Sequence, residues 1–134
     1  MTIVKTFIVE DNAVIRDKLI SALEEMAAIQ VVGFAANEVE ALNWLLPGPR
    51  RCDLVIIDIF LRQGSGLGVL RALADSGLPV HRVVLTNYAT ADMRRRCSEL
   101  GAHRVFDKSH ELDGLIDYCG QLADGTATAA GALA

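Results

Sequence analysis

Three things are scarce in this sequence: cysteine, long apolar runs and positive charge. Its three cysteines, Cys52, Cys97 and Cys119, are widely spaced and include no Cys-x-x-Cys pair. An odd, scattered set fits reduced thiols and argues against a disulfide-stapled secreted scaffold. A zinc site built from them with His81, His103 or His110 has no ligand spacing in its favour. Cys97 and Cys119 also fall on apolar helix faces, so core packing is expected for them. Apolar runs such as Val55-Ile56-Ile57 are cut short by charged residues. None approaches the roughly 18 consecutive apolar residues of a membrane span. Met1-Thr2-Ile3-Val4-Lys5 lacks the basic-then-apolar layout of a signal peptide, which predicts a cytoplasmic chain with no membrane partner. The formal net charge of −4 disfavours nucleic acid as a direct partner. No Gly-x-x-x-x-Gly-Lys-Ser/Thr run occurs, which excludes a P-loop NTPase.

What is present is enough for one domain. The 134 residues are 51% hydrophobic, 22% charged and 5% aromatic, a composition that supports a compact core and no disordered chain. Five β-rich runs appear in order, at Val4–Val9, Gln30–Ala35, Leu54–Ile57, Arg82–Leu85 and Arg104–Phe106. They are mostly unbroken Val/Ile/Leu/Phe stretches, as strands buried on both faces of a parallel sheet require. Between them lie segments of helical period. Ile15, Leu19, Ala22, Leu23 and Met26 mark a helix over Ala13–Ala27, capped by Asn12. Val39, Leu42, Leu45 and Leu46 mark a second over Glu38–Leu46, stopped by Pro47-Gly48-Pro49. Leu67, Leu70, Leu73 and Ala74 mark a third, ended by Gly77 and Pro79. A fourth runs from about Thr90 through Met93, Cys97 and Leu100 to Gly101 as its C′ residue. Leu112, Leu115, Ile116, Cys119 and Leu122 mark the fifth. Strict alternation demands right-handed crossovers and a sheet covered on both faces. Ten elements are too few for a closed eight-fold barrel, so an open, doubly wound (βα)5 α/β fold remains. From Asp124 the composition shifts to Gly, Thr and Ala, so 1–123 is expected to be the domain and 124–134 a flexible tail.

In such a sheet, ligands bind outside the carboxyl ends of the strands. The first strand ends in Glu10-Asp11, the third runs into Asp58, the fourth ends at Thr86-Asn87 and the fifth at Asp107-Lys108. Asp58 is the most telling, because it interrupts the apolar run Leu54-Val55-Ile56-Ile57-Asp58-Ile59-Phe60-Leu61. Three carboxylates at one edge repel one another, and a hard divalent cation such as Mg²⁺ relieves that repulsion. A carboxylate beside such a cation can attack a phosphoryl group. Lys108 would neutralise charge on the transferring group, and Thr86 could donate to a phosphoryl oxygen once it arrives.

These residues resemble the receiver domain of two-component response regulators over about residues 3–123. The family carries an acidic pair after strand one, a phosphoacceptor Asp after strand three, Thr or Ser after strand four and Lys after strand five. Glu10 and Asp11, Asp58, Thr86 and Lys108 occupy those positions. The resemblance implies a flavodoxin-like three-layer fold with strand order 2-1-3-4-5. It implies Mg²⁺ held by Asp11, Asp58 and the backbone carbonyl of Phe60, with Glu10 acting through water. It also implies a histidine kinase or histidine phosphotransfer protein as phosphoryl donor. The output would be a downstream protein engaged through the face made by the fourth helix, fifth strand and fifth helix; a homodimer is compatible with it. The length leads to the expectation of a stand-alone receiver that catalyses only its own aspartyl phosphorylation and dephosphorylation.

Four positions depart from the family pattern. Val105 stands three residues before Lys108, where the family has an aromatic switch residue, with Phe106 beside it. Ser109 replaces the usual proline after the lysine. The loop Phe60-Leu61-Arg62-Gln63-Gly64-Ser65-Gly66-Leu67-Gly68 lacks the common Pro-Gly-Met-Asp-Gly form. Phe60 and Tyr88 flank the expected pocket with bulky rings, which predicts a hindered attacking water and a long phosphoryl lifetime. Val105 keeps an alternative open, a phosphorylation-independent interaction module of the same fold. Other readings fit less well. Gly64-x-Gly66-x-Gly68 lacks dinucleotide spacing, and Glu10-Asp11-Asn12-Ala13 would repel a flavin phosphate. Asp58-Ile59-Phe60 lacks the second Asp of a haloacid-dehalogenase-type phosphatase. Arg94-Arg95-Arg96 is expected to be a solvated face with one or two stems covering the core, with a docking patch as the functional alternative, and Trp44 is expected to be packed.

Overall fold

The computed structural model describes residues 2–125. Its elements are β1 (Val4–Val9), α1 (Ala13–Met26), β2 (Ile29–Ala35), α2 (Glu38–Leu45), β3 (Leu54–Ile57), α3 (Gly66–Ser76), β4 (His81–Thr86), α4 (Ala91–Glu99), β5 (Arg104–Asp107) and α5 (Leu112–Asp124). The strands form one parallel sheet in the order β2-β1-β3-β4-β5. This is the doubly wound flavodoxin-like arrangement expected from the sequence. The fifth helix carries through Asp124 and closes on Gly125 at φ 75°, so Asp124, grouped with the tail by composition, is helical. Residues 126–134 of the expected tail lie outside the described residues. Among the described residues no helix is long and apolar enough to cross a membrane.

Alternation along each strand divides the core in two. Phe7, Val9, Val55, Ile57 and Val84 face α2, α3 and α4, where Ala41, Leu45, Val69, Leu70, Leu73 and Cys97 meet them. Ile8, Leu54, Ile56, Val83 and Leu85 face α1 and α5, against Leu19, Leu23, Leu115, Tyr118 and Cys119. All four residues of β3 are essentially inaccessible. At about 1.5–3 kcal/mol for each fully buried aliphatic side chain, this strand is firmly anchored in the core. Asp58 follows it directly, so the base of the site is built on this buried strand.

All three cysteines are free and buried, Cys97 and Cys119 as expected from their apolar helix faces. Burial pushes the Cys52 thiol up to about 11 and that of Cys119 to about 12. Trp44 stacks on Phe7 with ring centroids 4.3 Å apart, and the Arg51 guanidinium lies 4.0 Å over its ring. That stack depends on Gly33. A Cβ there would come within 3.0 Å of the Phe7 ring and 3.2 Å of Trp44. The β1–β2 register skips Val32 at the same point, a bulge that admits the rings.

The helices begin beside the carboxyl edge of the sheet, and four of them are capped by side chains there. Asn12 accepts from the Ile15 amide, Asn37 from Glu40, Ser65 from Leu67 and Thr90 from Met93. Each cap is worth about 1 kcal/mol and fixes where its loop ends. The loops that carry the polar residues are thereby tied at their helical ends.

Candidate functional site

Glu10 and Asp11 leave β1, Asp58 leaves β3, Thr86 ends β4 and Lys108 follows β5. Together with Phe60, Tyr88, Asn12, Ile15 and Asn87 they line one cavity of about 190 Å³. All six residues expected from the sequence thus meet at one place. Each of Glu10, Asp11 and Asp58 offers a carboxylate oxygen within 4.8 Å of the others. Backbone bonds set this geometry. The Asp58 amide donates to the Val9 carbonyl at 3.0 Å, and the Lys108 amide to that of Thr86 at 2.9 Å.

The carboxylates are far from equivalent. Glu10 is only 3% exposed; its Oε2 accepts from the Asn12 amide at 3.1 Å and its Oε1 from Lys108 Nζ at 2.6 Å. Lys108 Nζ also donates to Asp58 Oδ2 at 3.0 Å. Asp58, 8% exposed, accepts weakly from the Phe60 amide at 3.4 Å. Asp11 Oδ2 accepts from the Arg62 amide at 2.9 Å, which draws the β3–α3 loop over the site. Glu10, expected from the resemblance to act through water on a cation, makes a direct ion pair with Lys108 that its sequence position did not announce.

Burial raises the Glu10 carboxyl above the ordinary carboxylate range, against the pull of Lys108. For Lys108, burial alone would lower the ammonium, but its bonds to Glu10 and Asp58 outweigh it and hold the pKa above the ordinary value. The ammonium is therefore charged at neutral pH. A positive charge is thus held 3.0 Å from Asp58 Oδ2.

Thr86 is wholly buried, and its Oγ1 accepts from the Tyr88 amide at 3.2 Å. A hydroxyl used as an acceptor retains its proton for another partner. Phe60 and Tyr88 meet edge to face with centroids 4.8 Å apart, both more than half exposed at the cavity rim. The Lys108–Ser109 peptide is trans, like every peptide among the described residues.

On the neighbouring face, Arg95 and Arg96 are exposed, and Arg94 is the half-buried member of the expected run. It donates from Nε to the Ala89 carbonyl at 3.0 Å, from Nη1 to Val105 at 2.8 Å and from Nη2 to Glu111 at 2.6 Å. It thus joins the β4–α4 loop, β5 and the start of α5. Arg95 pairs locally with Asp92.

An acidic group with a fixed ammonium is gathered at the carboxyl edge of a five-stranded parallel sheet, where doubly wound α/β folds bind their ligands. The chain belongs to the response regulator receiver domain family, whose model matches residues 6–119. It is 32% identical over 114 residues to the uncharacterized transcriptional regulatory protein YvfU of Bacillus subtilis, covering 85% of this chain and 56% of that protein. The chain spans about half the length of the first curated relatives it matches. The receiver domain of the response regulator NarL from Mycobacterium tuberculosis superposes with a TM-score of 0.79 at 19% identity, covering 93% of this chain and 99% of that one. A Burkholderia pseudomallei response regulator, solved with a phosphorylated aspartic acid, calcium ion and citrate, gives a TM-score of 0.72 at 23% identity. It covers 90% of this chain and 69% of that one.

Proposed function

We propose that Asp58 is the phosphoacceptor of this receiver and that Asp11, Asp58 and the Phe60 backbone carbonyl hold Mg²⁺, with Glu10 acting through water. The observation that carries the reading is Asp58 Oδ2 held 3.0 Å from the Lys108 ammonium inside a group of three carboxylates. An all-oxygen, mostly anionic donor set suits a hard divalent ion. The phosphorylated aspartate and calcium ion of the Burkholderia protein support the same chemistry.

A carboxylate oxygen of Asp58 attacks the phosphorus of a phosphohistidine, presented by a histidine kinase or a histidine phosphotransfer protein. The P–N bond breaks and its electron pair stays on the departing imidazole nitrogen. Lys108 neutralises charge gathering on the phosphoryl oxygens. Thr86 turns its hydroxyl proton to one of those oxygens. Its Oγ1 anchors the Tyr88 amide, so that reorientation is passed to the loop before α4. Mg²⁺, when bound, supplies further positive charge at the same oxygens. The chain takes up and loses one phosphoryl group at Asp58 and does not turn over an external substrate.

The output would be altered binding of a downstream protein, or of a second copy of the chain, at the α4–β5–α5 face, with no direct nucleic-acid contact and in the cytoplasm. A second reading, a phosphorylation-independent interaction module, is favoured by half-buried Val105 at the position of the family's aromatic switch. Acetyl phosphate with Mg²⁺ decides between them. The receiver reading expects a mass gain of about 80 Da, one phosphoryl group, absent in Asp58→Ala. It also expects backbone NMR shifts in α4 and β5 when beryllofluoride is added. Modification of Asp58 with no shift there leaves the second reading standing.

A further inference from the structure

Glu38, the first residue of α2, lies outside the acidic group, yet its carboxylate reaches across to the loop that follows Asp58. Its Oε1 accepts from the Ser65 amide at 2.9 Å, and its own amide donates to the Gln63 carbonyl at 3.3 Å. Two glycines leave the space it fills. A Cβ on Gly64, which sits at φ +77°, would meet Glu38 Cβ and lie 2.8 Å from Oε1; one on Gly68 would lie 2.6 Å from the carboxylate carbon. Glu38 and these glycines are therefore one fitted unit, drawn from two elements far apart in sequence.

Ser65 transmits that grip to the site. It pairs with Phe60 in an isolated antiparallel bridge, and its hydroxyl reaches the Ile59 carbonyl at 3.4 Å. The loop has a second anchor at Asp11, which accepts from the Arg62 amide. That anchor draws on a carboxylate already assigned to the cation. Glu38 is the anchor that does not.

We infer that Glu38 is a positioning residue for the phosphorylation site, holding the Gly64–Gly68 segment that leads into α3 and, through Ser65, the Phe60 backbone in place. The inference rests on the receiver reading above. It has consequences that can be read without phosphorylation.

The test compares the full chain with Glu38→Gln, Glu38→Ala, Gly68→Ala and the Glu38→Ala/Gly68→Ala pair. Amide exchange of Ser65 and Phe60 is followed without metal, and Mg²⁺ affinity is measured by calorimetry. Loss of a hydrogen bond to a charged acceptor is expected to speed Ser65 exchange about 10-fold or more in Glu38→Ala. Mg²⁺ affinity is expected to weaken several-fold. Glu38→Gln, which keeps an acceptor oxygen, recovers part of both effects. Gly68→Ala weakens Mg²⁺ binding alone but adds nothing in the Glu38→Ala background, where the space is free. Unchanged Ser65 exchange and Mg²⁺ affinity in Glu38→Ala, with Mg²⁺ binding intact in the parent, overturn this inference alone. A parent chain that binds no Mg²⁺ overturns the receiver reading and this role with it.

Discussion

The Lys108 ammonium lies 2.6 Å from Glu10 Oε1, closer than the 3.0 Å that separates it from Asp58 Oδ2. The residue proposed to stabilise the incoming phosphoryl group is thus held chiefly by a carboxylate other than the acceptor. This keeps the cation in place while leaving the Asp58 bond the easier of the two to exchange.

That sharing makes Lys108 and Glu10 energetically interdependent. Lys108→Ala leaves two adjacent carboxylates uncompensated and, with some residual solvent access, is expected to destabilise the fold by about 2–3 kcal/mol without divalent ions. Glu10→Gln in the same chain should recover roughly 1 kcal/mol or more of that loss, measured by urea unfolding in a double-mutant cycle. Additive effects would show that the pair is not coupled.

The Phe60 and Tyr88 rings stand at the mouth of the cavity, where water must approach a phosphorylated Asp58. Phe60→Asn or Tyr88→Glu opens that mouth and offers water a polar partner, so the phosphoryl lifetime should shorten several-fold. Mass spectrometry over time after removal of acetyl phosphate measures it. Lifetimes equal to the parent's would discard the shielding role.

Arg94 links three carbonyl and carboxylate acceptors on separate elements. Arg94→Ala is expected to cost about 1 kcal/mol, since the group is partly exposed and solvent recovers some of the loss. Amide exchange should accelerate in α4 and at the start of α5 while β3 stays protected. Uniform acceleration across the sheet would argue against a local tie.

His103 Nδ1 accepts a hydrogen bond from the Arg82 amide at 2.9 Å, a role that protonation removes. Burial, then the neighbouring His81 and Arg82, lower its pKa to about 4 from an ordinary 6.5. Between those values the unfolded chain takes up a proton that the folded chain refuses. The His103 contribution is therefore complete above pH 6.5 and is lost as pH falls toward 4. Denaturation midpoints at pH 7 and pH 5 should differ more in the parent than in His103→Asn, whose side-chain oxygen can accept the same bond at either pH.

The strands were legible because a sheet buried on both faces imposes unbroken aliphatic runs, as in Leu54–Ile57. The carboxylates were legible because strand ends in a parallel sheet share one edge, whatever the loops do. Pairing was less so. Nothing in the sequence says that Lys108 prefers Glu10, or that Asp11 holds the Arg62 amide, since both follow from loop paths. The run Arg94-Arg95-Arg96 looks uniform, but successive helical residues point about 100° apart. Arg94 consequently turns toward β5 and Arg95 toward Asp92. Glu38 resembles an ordinary acidic residue at a helix start, and only the packing of two distant glycines against it distinguishes it. The skipped Val32 has no signature of its own.

The stack of Trp44 on Phe7, capped by Arg51, has a practical side. Trp44 is the sole tryptophan, and it lies on the helix that begins with Glu38. Intrinsic fluorescence from this chain is consequently a single-site signal from the junction of α2 with the sheet. Any ligand or partner that shifts α2 against β1 will alter its emission, so the protein carries its own optical reporter and needs no label.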